Sequence, residues 1–486
     1  MIEHFKKLGE YTLIYGVSGA ISALIGLILV PVLTRVFGPT EYGVIDLTLA
    51  IISFLSAILM MGFDSAVALH FYQAKDSLEK KKIISTGFYF LLTTSLIVII
   101  GLSFFTKSFS SPIFKEINYS SILFIGLPIT FFTLLYIFFS NLIKVHLQPK
   151  RFLYLTATRI ILIIGLVLFF ILQTNLGMIG VFYGYLIANI FASSLGFILT
   201  FSDYILSFSQ TLLKSLLKFG LPLILAAISG WILHLADRFF LVNFTSLKEV
   251  GFYTVGVKIS QILFLVIGGF QLAWGPFAFS IYKEKEANQT FAKTLTYFTI
   301  ITSAIALFLT IFAKEIINII STAQYLEAFK VVGPLSLAMV AYGSYFIVAL
   351  GVNLVRKTSY IAWTVSLAAV LNIGLNFLLV PRFGMVGAAF ATASSYCVSA
   401  YLLYLVSQHY YPIPFQLKKV AGIWILTILF MIVGLNIYFP NIIFNIGVKL
   451  LIFLGFLITL PALGILKKEE IALVFKLTKG YIKWRN

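Results

Sequence analysis

Four basic side chains stand where a basic side chain is expensive. Arg159, Lys258 and Arg238 each fall within a run of apolar residues, and Arg35 falls at the end of another. A cation at the centre of a membrane helix costs roughly 2.5–3.5 kcal/mol on insertion scales, so such residues are candidates for function. Arg159 lies eight residues past Arg151 and Lys258 seven past Gly251. At ~1.5 Å per helical residue, that places them about 12 Å and 10 Å into their segments. From there a guanidinium or ammonium can donate charge-assisted hydrogen bonds to an anionic headgroup such as a diphosphate. The competing reading is that each side chain snorkels to its nearer interface.

Titratable partners stand close by. Asp46 and Asp64 flank one apolar run, and His234 and Asp237 accompany Arg238 in another. Such groups are candidates for a coupling ion or a proton, though Asp64 reads equally well as a helix-end carboxylate. Asp237 and Arg238 are adjacent and leave a helix in different directions, whereas His234 and Arg238, four apart, share a face. Arg35 and Arg238 occupy matching ends of equivalent runs. They read either as cationic gates at the end of a central path or as interfacial anchors with salt bridges between two halves.

Positioning these groups takes membrane helices. Sixty per cent of the residues are apolar and 11% charged, against about a quarter charged in a soluble domain. The mean hydropathy is +1.03. Nearly uncharged runs define fourteen expected spans: 11–37, 42–70, 83–106, 119–143, 152–173, 177–200, 218–242, 251–281, 290–313, 329–354, 358–380, 383–408, 420–438 and 446–466. The first follows Lys6 and Lys7 and is too long for a signal-peptide core. With alternate loops inside, 24 of the 35 Lys and Arg fall on one side and 8 on the other. By the positive-inside rule, both termini are then cytoplasmic. The net charge of +18 thus sets topology and calls for no nucleic acid. Cys397 is alone, so no disulfide framework is expected. Neither a Gly-x-x-x-x-Gly-Lys-Ser/Thr phosphate loop nor a His-Glu-x-x-His metal helix occurs. The loops are too short to fold as catalytic domains, and no cofactor or metal site is expected.

The chain also repeats itself. Ile164-Gly165-Leu166 followed by Leu176-Gly177-Met178-Ile179-Gly180 returns as Ile373-Gly374-Leu375 followed by Phe383-Gly384-Met385-Val386-Gly387. Gly165 to Gly374 is 209 residues and Gly177 to Gly384 is 207, while Glu41-Tyr42-Gly43 is echoed 208 residues on by Glu249-Val250-Gly251. An even number of spans per unit makes the repeats parallel. The expected fold is an all-α integral membrane protein of about 14 transmembrane helices. Its two six-helix lobes, 1–200 and 217–408, surround a central cavity. Two additional helices occupy 418–466, and a basic amphipathic cytoplasmic tail occupies 467–486.

Several stretches together resemble a known family. They are Leu29-Val30-Pro31-Val32-Leu33-Thr34-Arg35-Val36-Phe37-Gly38-Pro39-Thr40-Glu41-Tyr42-Gly43, then Phe219-Gly220-Leu221-Pro222-Leu223 with Ala236-Asp237-Arg238-Phe239-Phe240, then Gln271-Leu272-Ala273-Trp274-Gly275-Pro276-Phe277, and Leu371-Asn372-Ile373-Gly374-Leu375-Asn376. In order and spacing they resemble the polysaccharide-transport branch of the multidrug/oligosaccharidyl-lipid/polysaccharide (MOP) exporter superfamily, which includes O-antigen flippases. The resemblance implies a monomeric transporter of the bacterial cytoplasmic membrane. It would move undecaprenyl-diphosphate-linked oligosaccharide from the inner to the outer leaflet by alternating access, beside other polysaccharide-assembly membrane proteins. Coupling to a proton or sodium gradient stays open. Rival readings are a cation-coupled drug exporter of the same superfamily, a lipid-II flippase and, less favoured, a membrane glycan polymerase. The deepest charges are positive, which favours an anionic cargo over a cationic drug.

Overall fold

A computed structural model of the chain describes residues 26–115 and 119–466. Among them the regular structure is entirely helical, and twelve helices are long and apolar enough to cross a membrane. The protein is a multi-pass membrane protein.

The first repeat supplies α1 (Gly26–Val36), α2 (Pro39–Met60), α3 (Phe63–Gln73), α4 (Ser77–Ser103), α5 (Thr106–Phe114), α6 (Ser120–Val145), α7 (Pro149–Gln173) and α8 (Met178–Thr200). The second supplies α9 (Gln210–Leu235), α10 (Asp237–Phe244), α11 (Leu247–Ser260), α12 (Ile262–Ile281), α13 (Ala287–Ile311), α14 (Ala313–Ile320), α15 (Phe329–Val348), α16 (Leu350–Leu354) and α17 (Ser359–Tyr410). Two more, α18 (Leu417–Asn436) and α19 (Ile442–Ala462), pack against α13.

Helix starts follow local chemistry. The side chains of Asp76, Ser209, Ser246 and Asn441 accept backbone N–H groups at the first turns of α4, α9, α11 and α19, satisfying donors that a helix leaves unpaired. Pro39 opens α2, where its missing N–H costs nothing.

The expected spans need some redrawing. The 52-residue α17 takes in 383–408 and all but the first residue of 358–380, because the chain folds back at Gly384 without an intervening loop. Gly384 has φ 53° and ψ −135°, and Gly177, between α7 and α8, has φ 56° and ψ −136°. The repeated glycine therefore makes the same left-handed turn twice, a conformation that a Cβ disfavours. Span 218–242 starts earlier, at Gln210, and breaks at Ala236 into α9 and α10, while 251–281 breaks at Gln261. Segments expected to be polar connections at 107–118 and 314–328 carry the short helices α5 and α14. The first span is described only from Gly26, and the tail 467–486 lies outside the described residues.

Glycines set the closest contacts between the repeats. A methyl on Gly43 would sit 2.1 Å from the Leu247 carbonyl oxygen, and one on Gly251 would sit 2.0 Å from that of Pro39. Pro39 and Leu247 are themselves 208 residues apart, so α2 and α11 cross reciprocally, backbone on backbone, as small residues permit. At the other end of α2, methyls on Gly62 and Gly220 would each lie 2.4 Å from a backbone oxygen, of Gly220 and Met61 respectively.

Candidate functional site

Between α2, α3, α6, α7, α8 and α9 lies a cavity of about 610 Å³, bordered by Ser53, Ser56, Asp64, Thr133, Arg159 and Tyr185 among others. Arg159 reaches it from α7. Its Nε donates to Asn189 Oδ1 at 2.9 Å, and its guanidinium carbon lies 4.4 Å from the centre of the Tyr136 ring. Asn189 is fixed in turn, donating through Nδ2 to the Tyr185 carbonyl at 2.7 Å. Among the described residues nothing bonds the two terminal nitrogens of Arg159. The cation is thus oriented by one hydrogen bond and one aromatic face, with its bidentate fork left for an oxyanion.

Lys258 does not border this cavity. It is half-buried on α11 against α1, where a methyl on Gly26 would lie 3.0 Å from its Nζ. Arg35, exposed, donates to the Pro31 carbonyl at 2.7 Å and the Ile319 carbonyl at 2.9 Å, tying α1 to the end of α14.

Arg238 is 2% exposed and forms an ion pair with Asp46, itself 9% exposed, through Nε to Oδ2 at 2.9 Å. Thr254 donates to the same oxygen at 2.8 Å, and Arg238 also donates to the His234 carbonyl at 2.8 Å. Asp46 and Thr254 are 208 residues apart, so this bridge continues the reciprocal glycine crossing.

Asp237 points elsewhere, toward α17. Tyr253 and Thr392 donate to its Oδ2, the latter at 2.7 Å, and Asn376 donates to its Oδ1 at 2.9 Å. Asn376 Nδ2 is also 3.0 Å from Asn372 Oδ1. Buried nearby, Asn376 Oδ1 and Asn372 Nδ2 have no hydrogen-bond partner among the described residues. The Tyr396 hydroxyl lies 2.9 Å from His234 Nδ1.

Two groupings result: Arg159 and Asp64 border the large cavity, while Asp46, Arg238, His234 and Asp237 form one cluster, in which the Arg238 guanidinium carbon lies 5.4 Å from the ring centre of Tyr253, the donor to Asp237. A family model described as "Polysaccharide biosynthesis protein" matches residues 32–330, more than half of the chain. The chain belongs to that family. An uncharacterized membrane protein of Methanocaldococcus jannaschii is 25% identical over 203 residues, covering 39% of this chain and 38% of that protein. The lipid II flippase MurJ, in an inward closed conformation, superposes with a TM-score of 0.75 at 17% identity, over 93% of this chain and 99% of that one. An inward-facing multidrug resistance MATE family transporter of the MOP superfamily gives 0.65 at 17% identity, over 84% and 95%. This member of the polysaccharide biosynthesis family therefore has the MOP exporter fold.

Sequence reasoning did not single out Asn189, Tyr136, Thr254 or Tyr253. Asn372 and Asn376 carried a signal, being two amides four residues apart in an apolar run. A further buried pair, Lys449 with Glu315 at 2.6 Å, joins α19 to α14.

Proposed function

We propose that the protein is a transporter, not an enzyme, and flips undecaprenyl-diphosphate-linked oligosaccharide from the inner to the outer leaflet of the bacterial cytoplasmic membrane. The observation that carries this reading is Arg159, a cation held at the larger cavity with its terminal nitrogens unengaged. A diphosphate cannot cross hydrocarbon unaided, and a fixed guanidinium replaces part of its hydration. Family membership and the MOP fold agree with a polysaccharide-related cargo.

Alternating access follows from rocking of lobe 1–200 against lobe 217–408, with 418–466 carried along. The Arg238–Asp46 bridge and the Arg35–Ile319 contact hold the Gly43 end together. On the charge bias this end is the outer one, with both termini cytoplasmic. In this scheme Lys258 meets the headgroup after it leaves Arg159. Coupling to a proton or sodium gradient uses Asp237, the buried carboxylate that Tyr253, Thr392 and Asn376 surround.

The test is lipid-linked intermediates and surface glycan in a strain carrying Arg159→Ala. The expected result is an undecaprenyl-diphosphate oligosaccharide accumulating inside, with glycan lost and protein level unchanged. Unaltered glycan would remove Arg159 and this reading with it. Partial activity of Arg159→Lys would show that charge counts beyond the planar fork.

A further inference from the structure

A second cavity, of about 200 Å³, lies between α2, α4, α5 and α6. Three threonines border it, yet they do not make it polar. Thr48 donates to the Val44 carbonyl, Thr106 to that of Ser103 and Thr130 to that of Gly126. Each hydroxyl is bonded to backbone three or four residues back, which leaves methyl groups to line the space. The remaining lining side chains are Ile, Leu and Phe, with Phe109 at 45% exposure on the margin. The cavity therefore borders the outer surface of the bundle.

Its position relative to Arg159 gives it meaning. Ile52 borders both cavities. Facing it across the α2–α6 seam is Gly126, which has no side chain to fill the gap. A methyl there would lie 3.6 Å from Thr48 and 3.7 Å from Ile52, in ordinary contact. A chamber bordered by a cation and an apolar chamber are thus one side chain apart. An amphiphile whose anion is joined directly to a branched hydrocarbon matches that layout. A phospholipid does not, because glycerol and ester groups separate its phosphate from its chains.

We infer that the apolar cavity receives the first isoprene units of a polyprenyl diphosphate whose headgroup occupies the Arg159 cavity. This rests on the flippase reading and adds the tail to it. The α2–α6 seam at Ile52 and Gly126 is where the diphosphate–isoprenyl junction lies.

The experiment uses the full chain in phosphatidylcholine vesicles with a polyprenyl diphosphate disaccharide bearing a diazirine on its second isoprene. After photolysis, label is expected on peptides covering 102–109 and 123–130. Gly126→Leu, which fills the space, should cut that labelling about tenfold, since the displaced isoprene carbons lose their burial. Label confined to other helices, or labelling indifferent to Gly126→Leu, would overturn the inference. So would equal labelling of these peptides by a diazirine phosphatidylcholine, which would make the cavity a bulk-lipid site. The wild-type label map stands even if Gly126→Leu fails to fold. Equal labelling by the same polyprenol without its diphosphate disaccharide would support the tail cavity and count against the headgroup reading alone.

Discussion

At the scale of single residues, burial decides what each charge is worth. Arg238 and Asp46 are out of water and depend on each other. Removing one leaves the other buried and unpaired, a loss of roughly 3–5 kcal/mol, whereas replacing both with neutral groups costs far less. Asp46→Ala should therefore melt well below the double variant Asp46→Asn, Arg238→Gln in detergent. Equal melting temperatures would show that the pair is not coupled. Arg159 differs, because a single hydrogen bond and the Tyr136 ring hold it. Its replacement should affect transport much more than stability. The sequence ranked it as a candidate from depth alone, but the residue that orients it, Asn189, sits thirty positions away and has no local signature.

At the scale of elements, the duplicated turn offers a controlled comparison. Gly177 and Gly384 share one left-handed conformation, but a methyl on Gly177 meets nothing within 4 Å, whereas one on Gly384 lies 2.5 Å from a Glu249 carboxylate oxygen. That carboxylate accepts the Met385 N–H at 2.8 Å, capping the second limb of α17. Both Gly→Ala variants carry backbone strain of about 1–3 kcal/mol. Gly384→Ala should lose more, since it also displaces the cap, and thermal melts of the two will rank them. The repeat was legible in the sequence because the same backbone demand recurs at the same offset. The absence of a loop at 381–383 was not legible, since the helix runs unbroken up to the turning glycine.

At the scale of the whole molecule, α2 touches the second repeat at both ends. Gly43 and Gly251 meet at one end and Gly62 and Gly220 at the other, nineteen residues or about 28 Å along the helix. That length is close to the hydrocarbon thickness. Gly43→Ala should force α2 from α11 and expose a cysteine placed at Val250 to a membrane-impermeant maleimide, in a Cys397→Ser background. Gly220→Ala should instead expose one placed at Ser65, from the opposite side. If both variants opened the same side, the two crossings would not be independent gates.

The sequence by itself determined the membrane class, the internal duplication and the family. These follow from hydropathy, charge bias and repeated motifs, all carried by residues near one another in the chain. Only the tertiary structure decided which charges act together. Asp46 finds Arg238 and Thr254 across 192 and 208 residues, and Asp237 turns from its neighbour toward Asn376 and Thr392. Lys258 and Arg159, equals by depth in the sequence, part company in space: one lies against α1 and the other borders the cavity. Depth follows from counting along a helix, but direction depends on how that helix is rotated against its neighbours. Small residues fix that rotation: Gly43 against Gly251 for α11, and Gly184 of α8 against Val167 for α7.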